Sequence, residues 1–105
     1  MTHYPFNLPQ IVSWYRAKGR ALEGSGISML EIRESTEHVP TAGVDFQSSR
    51  SYANITTWVT GAFDFLILRA SDGEPLYSSH VDATEINETL EEAFTEFIRN
   101  ISALE

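Results

Sequence analysis

Between Ile27 and Val81 the sequence never keeps a helical period, and this limits the chain's possible folds more than any other feature. Instead, apolar and polar residues alternate in short runs, each closed by a turn signal. Thr41–Gln47 is the cleanest run, with Ala42, Val44 and Phe46 alternating against Gly43 and Asp45. Tyr52–Thr60 and Ala62–Ala70 are rich in β-branched and aromatic residues and meet at Thr60-Gly61. Ile27–Arg33 precedes them, with Leu30 and Ile32 expected on one face. Leu76–Val81 follows the turn sequence Ser71-Asp72-Gly73-Glu74, and Ser48-Ser49-Arg50 supplies another turn. Parallel neighbours need a crossover of about a dozen residues or more, and no connection here is that long. The expected sheet is therefore an antiparallel meander of about five strands.

The central hairpin admits a finer expectation. A two-residue loop at Thr60-Gly61 pairs Trp58 with Phe63, Thr56 with Phe65 and Asn54 with Ile67. One face then carries Tyr52, Asn54, Thr56, Trp58, Phe63, Phe65 and Ile67, a mixture of the kind found at protein interfaces. The other carries Ala53, Ile55, Thr57, Val59, Asp64, Leu66 and Leu68 and is expected to be core. A bulge in the turn would slip the pairing by one and undo this sorting. A chain this short also needs at least half of its aromatic residues for its core.

Helical periodicity appears only at the two ends. Leu8, Ile11, Val12 and Tyr15, with Trp14 and Lys18 beside them, predict a helix over residues 8–18, capped by Asn7 and stopped by Gly19. Ile86, Leu90, Ala93, Phe94, Phe97, Ile101 and Leu104 follow steps of three and four, predicting a long helix over residues 83–104. Asp82 or Thr84 is the expected cap there, and Asp82 with Glu85 has capping-box spacing. Helix, sheet, helix is an α+β arrangement, with the last helix packed on the sheet and residues 1–105 expected to form a single domain.

Composition narrows the function. The 105 residues contain no cysteine, which removes disulfides, thiolate metal sites and cysteine nucleophiles. No apolar run approaches the roughly 18–20 residues of a membrane span, and the Met-Thr-His-Tyr-Pro start lacks the features of a secretory signal. The expected location is the cytoplasm. The formal net charge is −8, and it is unevenly placed. Residues 1–20 hold three bases and no acid, whereas residues 82–105 hold seven acids against Arg99. Such acidity disfavours nucleic acid as a partner and favours a basic protein, although solubility alone also accounts for it.

Signals for catalysis are sparse. His3, His38 and His80 are far apart and show no metal-ligand spacing, so neither a metal nor a cofactor is expected. Ser78, Ser79, His80 and Asp82 contain the atoms of a triad but lie on one strand end, where they cannot fold back on each other. The pairs Asp45/Asp64 and Glu31/Glu34 have acid–base chemistry without any sign that either pair converges. Glu85, Glu88, Glu92 and Glu96 line one side of the last helix, either as a solvated face or as an acidic ridge that docks on a basic protein.

Several parts, in order, resemble a known family. They are Trp14 near the end of a short helix, with Gly19 following, then Ala42-Gly43-Val44-Asp45-Phe46 and Tyr52–Trp58. A W-x-x-G-x-x-D pattern at Trp58, Gly61 and Asp64 comes next, and Asp72-Gly73, a strand and a Glu-rich helix complete the set. Across about residues 11–98 the chain resembles the TriTu immunity proteins of bacterial polymorphic and contact-dependent toxin systems. The resemblance implies a cytoplasmic protein, not an enzyme, that binds the C-terminal domain of a cognate toxin, often a basic nuclease, and blocks it. The family does not fix contact residues. Packing and turn geometry explain Trp14, Trp58, Gly61 and Asp64 more simply than contact does. The candidate partner-binding residues are Asp45, Trp58 and Asp64 in the hairpins and Glu88, Glu92 and Glu96 on the last helix.

Three other classes make different predictions. A secretion-effector chaperone usually interrupts its sheet with a helix, which residues 40–81 do not offer. A small α+β enzyme or ligand-binding domain predicts a deep cavity with converging polar groups. A nucleic-acid mimic acting through charge alone predicts affinity for many basic proteins.

Overall fold

The computed structural model describes residues 3–104. The first two residues of the N-terminal pentapeptide and the last acid of the C-terminal segment lie outside the described residues. The order is α1 (Leu8–Ala21), β1 (Ser28–Ser35), β2 (Thr41–Gln47), β3 (Ser51–Trp58), β4 (Ala62–Arg69), β5 (Pro75–Asp82) and α2 (Glu88–Ser102). The strands form one sheet in the order β1-β2-β3-β4-β5, antiparallel throughout. This is the α+β meander that the alternation and the short connections predict.

The helix ends differ from expectation in instructive ways. Asn7 caps α1 by accepting from the Gln10 N–H at 2.9 Å, and the Gln10 side chain accepts from the Asn7 N–H in return. Gly19 does not stop α1, which continues to Ala21 with Leu22 as its C-cap. Gly19 instead brings the helix close to β1, since a Cβ there would meet the Met29 thioether at 2.6 Å. The second helix starts later than the periodicity suggests. Asn87 caps it, accepting from the Leu90 N–H at 2.9 Å, so Asp82 and Thr84 are not caps and Ile86 is exposed before the helix begins.

The hairpin between β3 and β4 is offset from the expected pairing. Thr57 pairs with Phe63, Ile55 with Phe65 and Ala53 with Ile67, one residue away from the two-residue-loop register. The loop has three residues, Val59-Thr60-Gly61, and closes through the Gly61 N–H on the Trp58 carbonyl at 2.9 Å. Val59 is held in the core, where its N–H reaches the Pro40 carbonyl and its carbonyl accepts from Phe6. Phe63, Phe65 and Ile67 therefore face inward, while Asp64, Leu66 and Leu68 face outward. The physical reason is plain: the alternative register buries a carboxylate and exposes two phenylalanines. In β1 a bulge sets Leu30 and Glu31 against one residue of β2, so Met29 and Ile32 pack inward and Leu30 is exposed. Leu30 and Ile32 thus do not share a face.

Both helices cover the same side of the sheet. All six phenylalanines, Trp14 and Tyr15 are buried there. From α2, Phe97 lies 5.7 Å from Phe46 and 5.3 Å from Phe65, ring centre to ring centre. From α1, Trp14 meets Phe63 at 5.7 Å and Phe94 of α2 at 5.6 Å. The Tyr15 hydroxyl donates to the Ala42 carbonyl at 2.9 Å and lies 2.6 Å from Thr57 Oγ1, so the most buried phenol is fully satisfied. Burial drives that phenol well above its ordinary pKa, against a smaller opposing effect of the Thr57 hydrogen bond.

Candidate functional site

With both helices on one side, the other side of the sheet is left open. Pairing fixes what it displays: Asn54 between Asp45 and Leu66, Tyr52 beside Leu68, Thr56 beside Asp64, and Asp64 beside His80. Leu30, Asp45, Tyr52, Asn54, Leu66 and Leu68 line a shallow depression of about 230 Å³ on this face. Only four large apolar residues are markedly exposed among those described, and two of them, Leu30 at 43% and Tyr52 at 48%, lie here.

Two polar clusters flank the depression. Asp45 Oδ1 accepts from the Arg33 guanidinium at 2.8 Å and from the Asn54 amide at 3.0 Å, while Asn54 Oδ1 accepts from the Thr56 hydroxyl at 2.8 Å. Both bonds to Asp45 use the same oxygen. Further along, His80 stands between two carboxylates, Nδ1 against Asp64 and Nε2 at 2.9 Å from Asp82. The hydrogen bond to Asp64, then that to Asp82, raises the imidazole pKa above its ordinary value. Each carboxylate only accepts, so the doubly protonated ring satisfies both. Neither ring nitrogen is left to serve a serine as base, and Asp45 and Asp64 are tied into separate clusters. Among the described residues no group of His, Asp or Glu has an arrangement that would hold a metal ion.

The expected partner-binding residues are divided between two surfaces. Asp45, half-buried Trp58 and Asp64 all belong to the open sheet face. Glu88, Glu92 and Glu96 are exposed on α2, which packs on the opposite side. Glu96 is paired with Arg99 and accepts from Asn100 at 3.3 Å, whereas Glu88 and Glu92 have no ion pair among the described residues. The ridge also leaves out the acid that matters most to packing. Glu91 Oε1 accepts from the Trp14 indole N–H at 2.8 Å, and its other oxygen pairs with Lys18. Partial burial pushes the Glu91 carboxyl upward, but the Lys18 and Trp14 hydrogen bonds outweigh it and hold the pKa below the ordinary value. The Lys18 ammonium also lies 5.5 Å and 5.1 Å from the centres of the Trp14 and Phe94 rings. The basic first helix and the acidic last helix are joined side by side at this point.

A family model described as the immunity protein TriTu matches residues 9–100, from the first turn of α1 to the last turn of α2. The chain belongs to the TriTu immunity-protein family. No curated protein matches it. TriTu membership and the geometry together sort the residues that carry the likeness. Trp14 is a core residue that joins the two helices, and Gly61 is a turn residue with φ of 101°. Trp58 and Asp64 differ in that the open face displays them. Sequence reasoning placed Tyr52 on this face with Asn54, Thr56 and Trp58, but missed Leu66, Leu68 and His80 as its neighbours. The signal for Leu66 and Leu68 was Asp64, whose charge fixes the outward parity of all three.

Proposed function

We propose that residues 1–105 act as one cytoplasmic immunity domain that binds a cognate toxin C-terminal domain and neutralises it by stoichiometric complex formation, without chemistry of its own. The family match over residues 9–100 carries this reading. The net charge of −8 supports a basic toxin, and a nuclease needs basic groups to hold phosphates. An acidic inhibitor is steered to such a surface and competes there by charge complementarity. No helix among the described residues is long and apolar enough to cross a membrane.

The test is co-expression with the toxin domain encoded immediately upstream. Rescue of growth and a co-purifying complex of fixed stoichiometry are expected. Intact toxicity with no complex would reject the proposal. Binding to unrelated basic enzymes with similar affinity would replace it with general mimicry of nucleic acid.

A further inference from the structure

The open sheet face has the makings of a binding surface, and we propose that it seats the toxin domain. Its partner there is a basic surface that inserts one apolar or aromatic side chain into the depression between Leu30, Tyr52, Leu66 and Leu68. Arginine or lysine side chains beside that anchor meet Asp45, Asp64 and Asp82. The inference rests on the proposed function, to which it adds the surface and its chemistry.

Three observations point to this occupant. First, apolar exposure is concentrated: Leu30 and Tyr52 are exposed on one depression, and Leu66 and Leu68 are half-buried in it. A volume of about 230 Å³ accommodates one side chain and is small for a metabolite, since ligand pockets are typically about 300 Å³ or larger. Second, the surrounding carboxylates are oriented yet incompletely used. Asp45 binds Arg33 and Asn54 through Oδ1 alone, and His80 takes one oxygen each from Asp64 and Asp82. The remaining oxygens are acceptors for a guanidinium, which favours planar, paired recognition of carboxylates. Third, the arrangement has the anatomy of an energetic centre, with an aromatic residue amid apolar neighbours and polar groups at the rim. The α2 ridge has exposed acids but no apolar centre, since its apolar stripe faces the sheet.

The experiment measures binding of the upstream toxin domain, inactivated by substitution, to the full chain by calorimetry. Tyr52→Ala should weaken binding about 30-fold or more, the loss typical of a central aromatic anchor. Tyr52→Arg, which also repels a basic partner, should weaken it further. Glu88→Lys with Glu92→Lys on α2 should cost less than about 5-fold, as expected for charges at a distance from the contact. Urea midpoints close to wild type show that the exposed substitutions leave the fold intact. Unchanged affinity in both Tyr52 variants, or a larger loss in the α2 variant, would overturn the assignment while leaving toxin binding standing. Absence of any complex with the wild-type chain would remove the functional reading and this inference together. A wild-type dimer in sedimentation that Tyr52→Arg converts to monomer would show that the face seats a second copy, and would also overturn it.

Discussion

Gly61→Ala should be among the most destabilising small substitutions in the chain, for two separable reasons. Gly61 has a φ of 101°, where an L-residue is strained by about 1–3 kcal/mol. Its added Cβ would also fall on the backbone of Ala83, inside van der Waals contact with the carbonyl oxygen and 3.1 Å from the carbonyl carbon. Backbone cannot rotate away as a side chain can. The overlap must be relieved by moving the segment after β5, which stretches the 2.8 Å hydrogen bond from the Ala83 N–H to the Gly61 carbonyl. Steric intrusion of this kind costs about 1–3 kcal/mol, and the weakened hydrogen bond adds about 1 kcal/mol. A total of about 3–7 kcal/mol is a large part of the roughly 5–15 kcal/mol that holds a domain together. Gly73→Ala is the internal control, because Gly73 has a φ of 73° but nothing within 4 Å of an added Cβ. It should cost only the conformational part, about 1–2 kcal/mol. Urea unfolding of the two variants measures the difference. The excess over Gly73→Ala is about 2–4 kcal/mol, so with a slope of about 1–3 kcal/mol/M the Gly61→Ala midpoint should fall by about 0.7–4 M relative to Gly73→Ala. Coincident midpoints would refute the close contact with Ala83 and with it the three-residue turn.

The remaining expectations concern titration and buried polar groups. His80 has a raised pKa in the folded chain, so its contribution to stability is complete below the ordinary histidine value and fades as pH rises through the raised one. His80→Gln should therefore lose more relative to wild type at pH 6 than at pH 9 in urea unfolding, and proton NMR should find the imidazole titrating above an unfolded reference. Glu91 runs the other way: its lowered pKa gives stability present above the ordinary glutamate value and lost as pH falls through the lowered one. Glu91→Gln should destabilise by at most about 1 kcal/mol near neutrality, because solvent screens the half-exposed pair with Lys18, and the gap to wild type should close in acid. Tyr15→Phe removes the phenol that the buried Thr57 hydroxyl and the Ala42 carbonyl share, and should cost about 1–3 kcal/mol by thermal or urea unfolding.

Much of the architecture is legible in the sequence because the patterns there are local. The bounds of β2, both long apolar stripes, the Asn7 cap and the turn sites all follow from spacing within a few residues. The departures come where two elements must agree. Thr60-Gly61 reads locally as a two-residue turn, but Val59 is claimed by the core from the far side through Pro40 and Phe6. That long-range claim shifts every β4 residue to the opposite face. The β1 bulge has a similar cause: Met29, Leu30 and Ile32 are all apolar, and only pairing with Phe46 and Val44 decides which two turn inward. Candidate site residues were legible as chemistry, not as a surface. Asp45, Trp58 and Asp64 were identifiable singly, while their common face depends on the very register that local reasoning misplaces.

That register also changes the meaning of the acidity. Read along the chain, the excess acid gathers in the last helix and suggests a ridge of charge. In space, Glu91 is spent on Trp14 and Lys18, Glu96 is paired with Arg99, and the apolar stripe of α2 is committed to the core. What remains on that helix is carboxylates without an apolar centre, which can speed an encounter but give little residence time. The sheet face has fewer acids, yet they are oriented by Arg33, Asn54 and His80 around exposed leucine and tyrosine. If the sheet face seats the toxin as proposed, steering and holding fall to opposite sides of the molecule. On this division, Glu88→Lys with Glu92→Lys should lower the association rate with the toxin domain and its salt dependence. Tyr52→Ala should instead raise the dissociation rate. Stopped-flow mixing at two ionic strengths separates these effects, and a ridge variant that altered only dissociation would contradict the division.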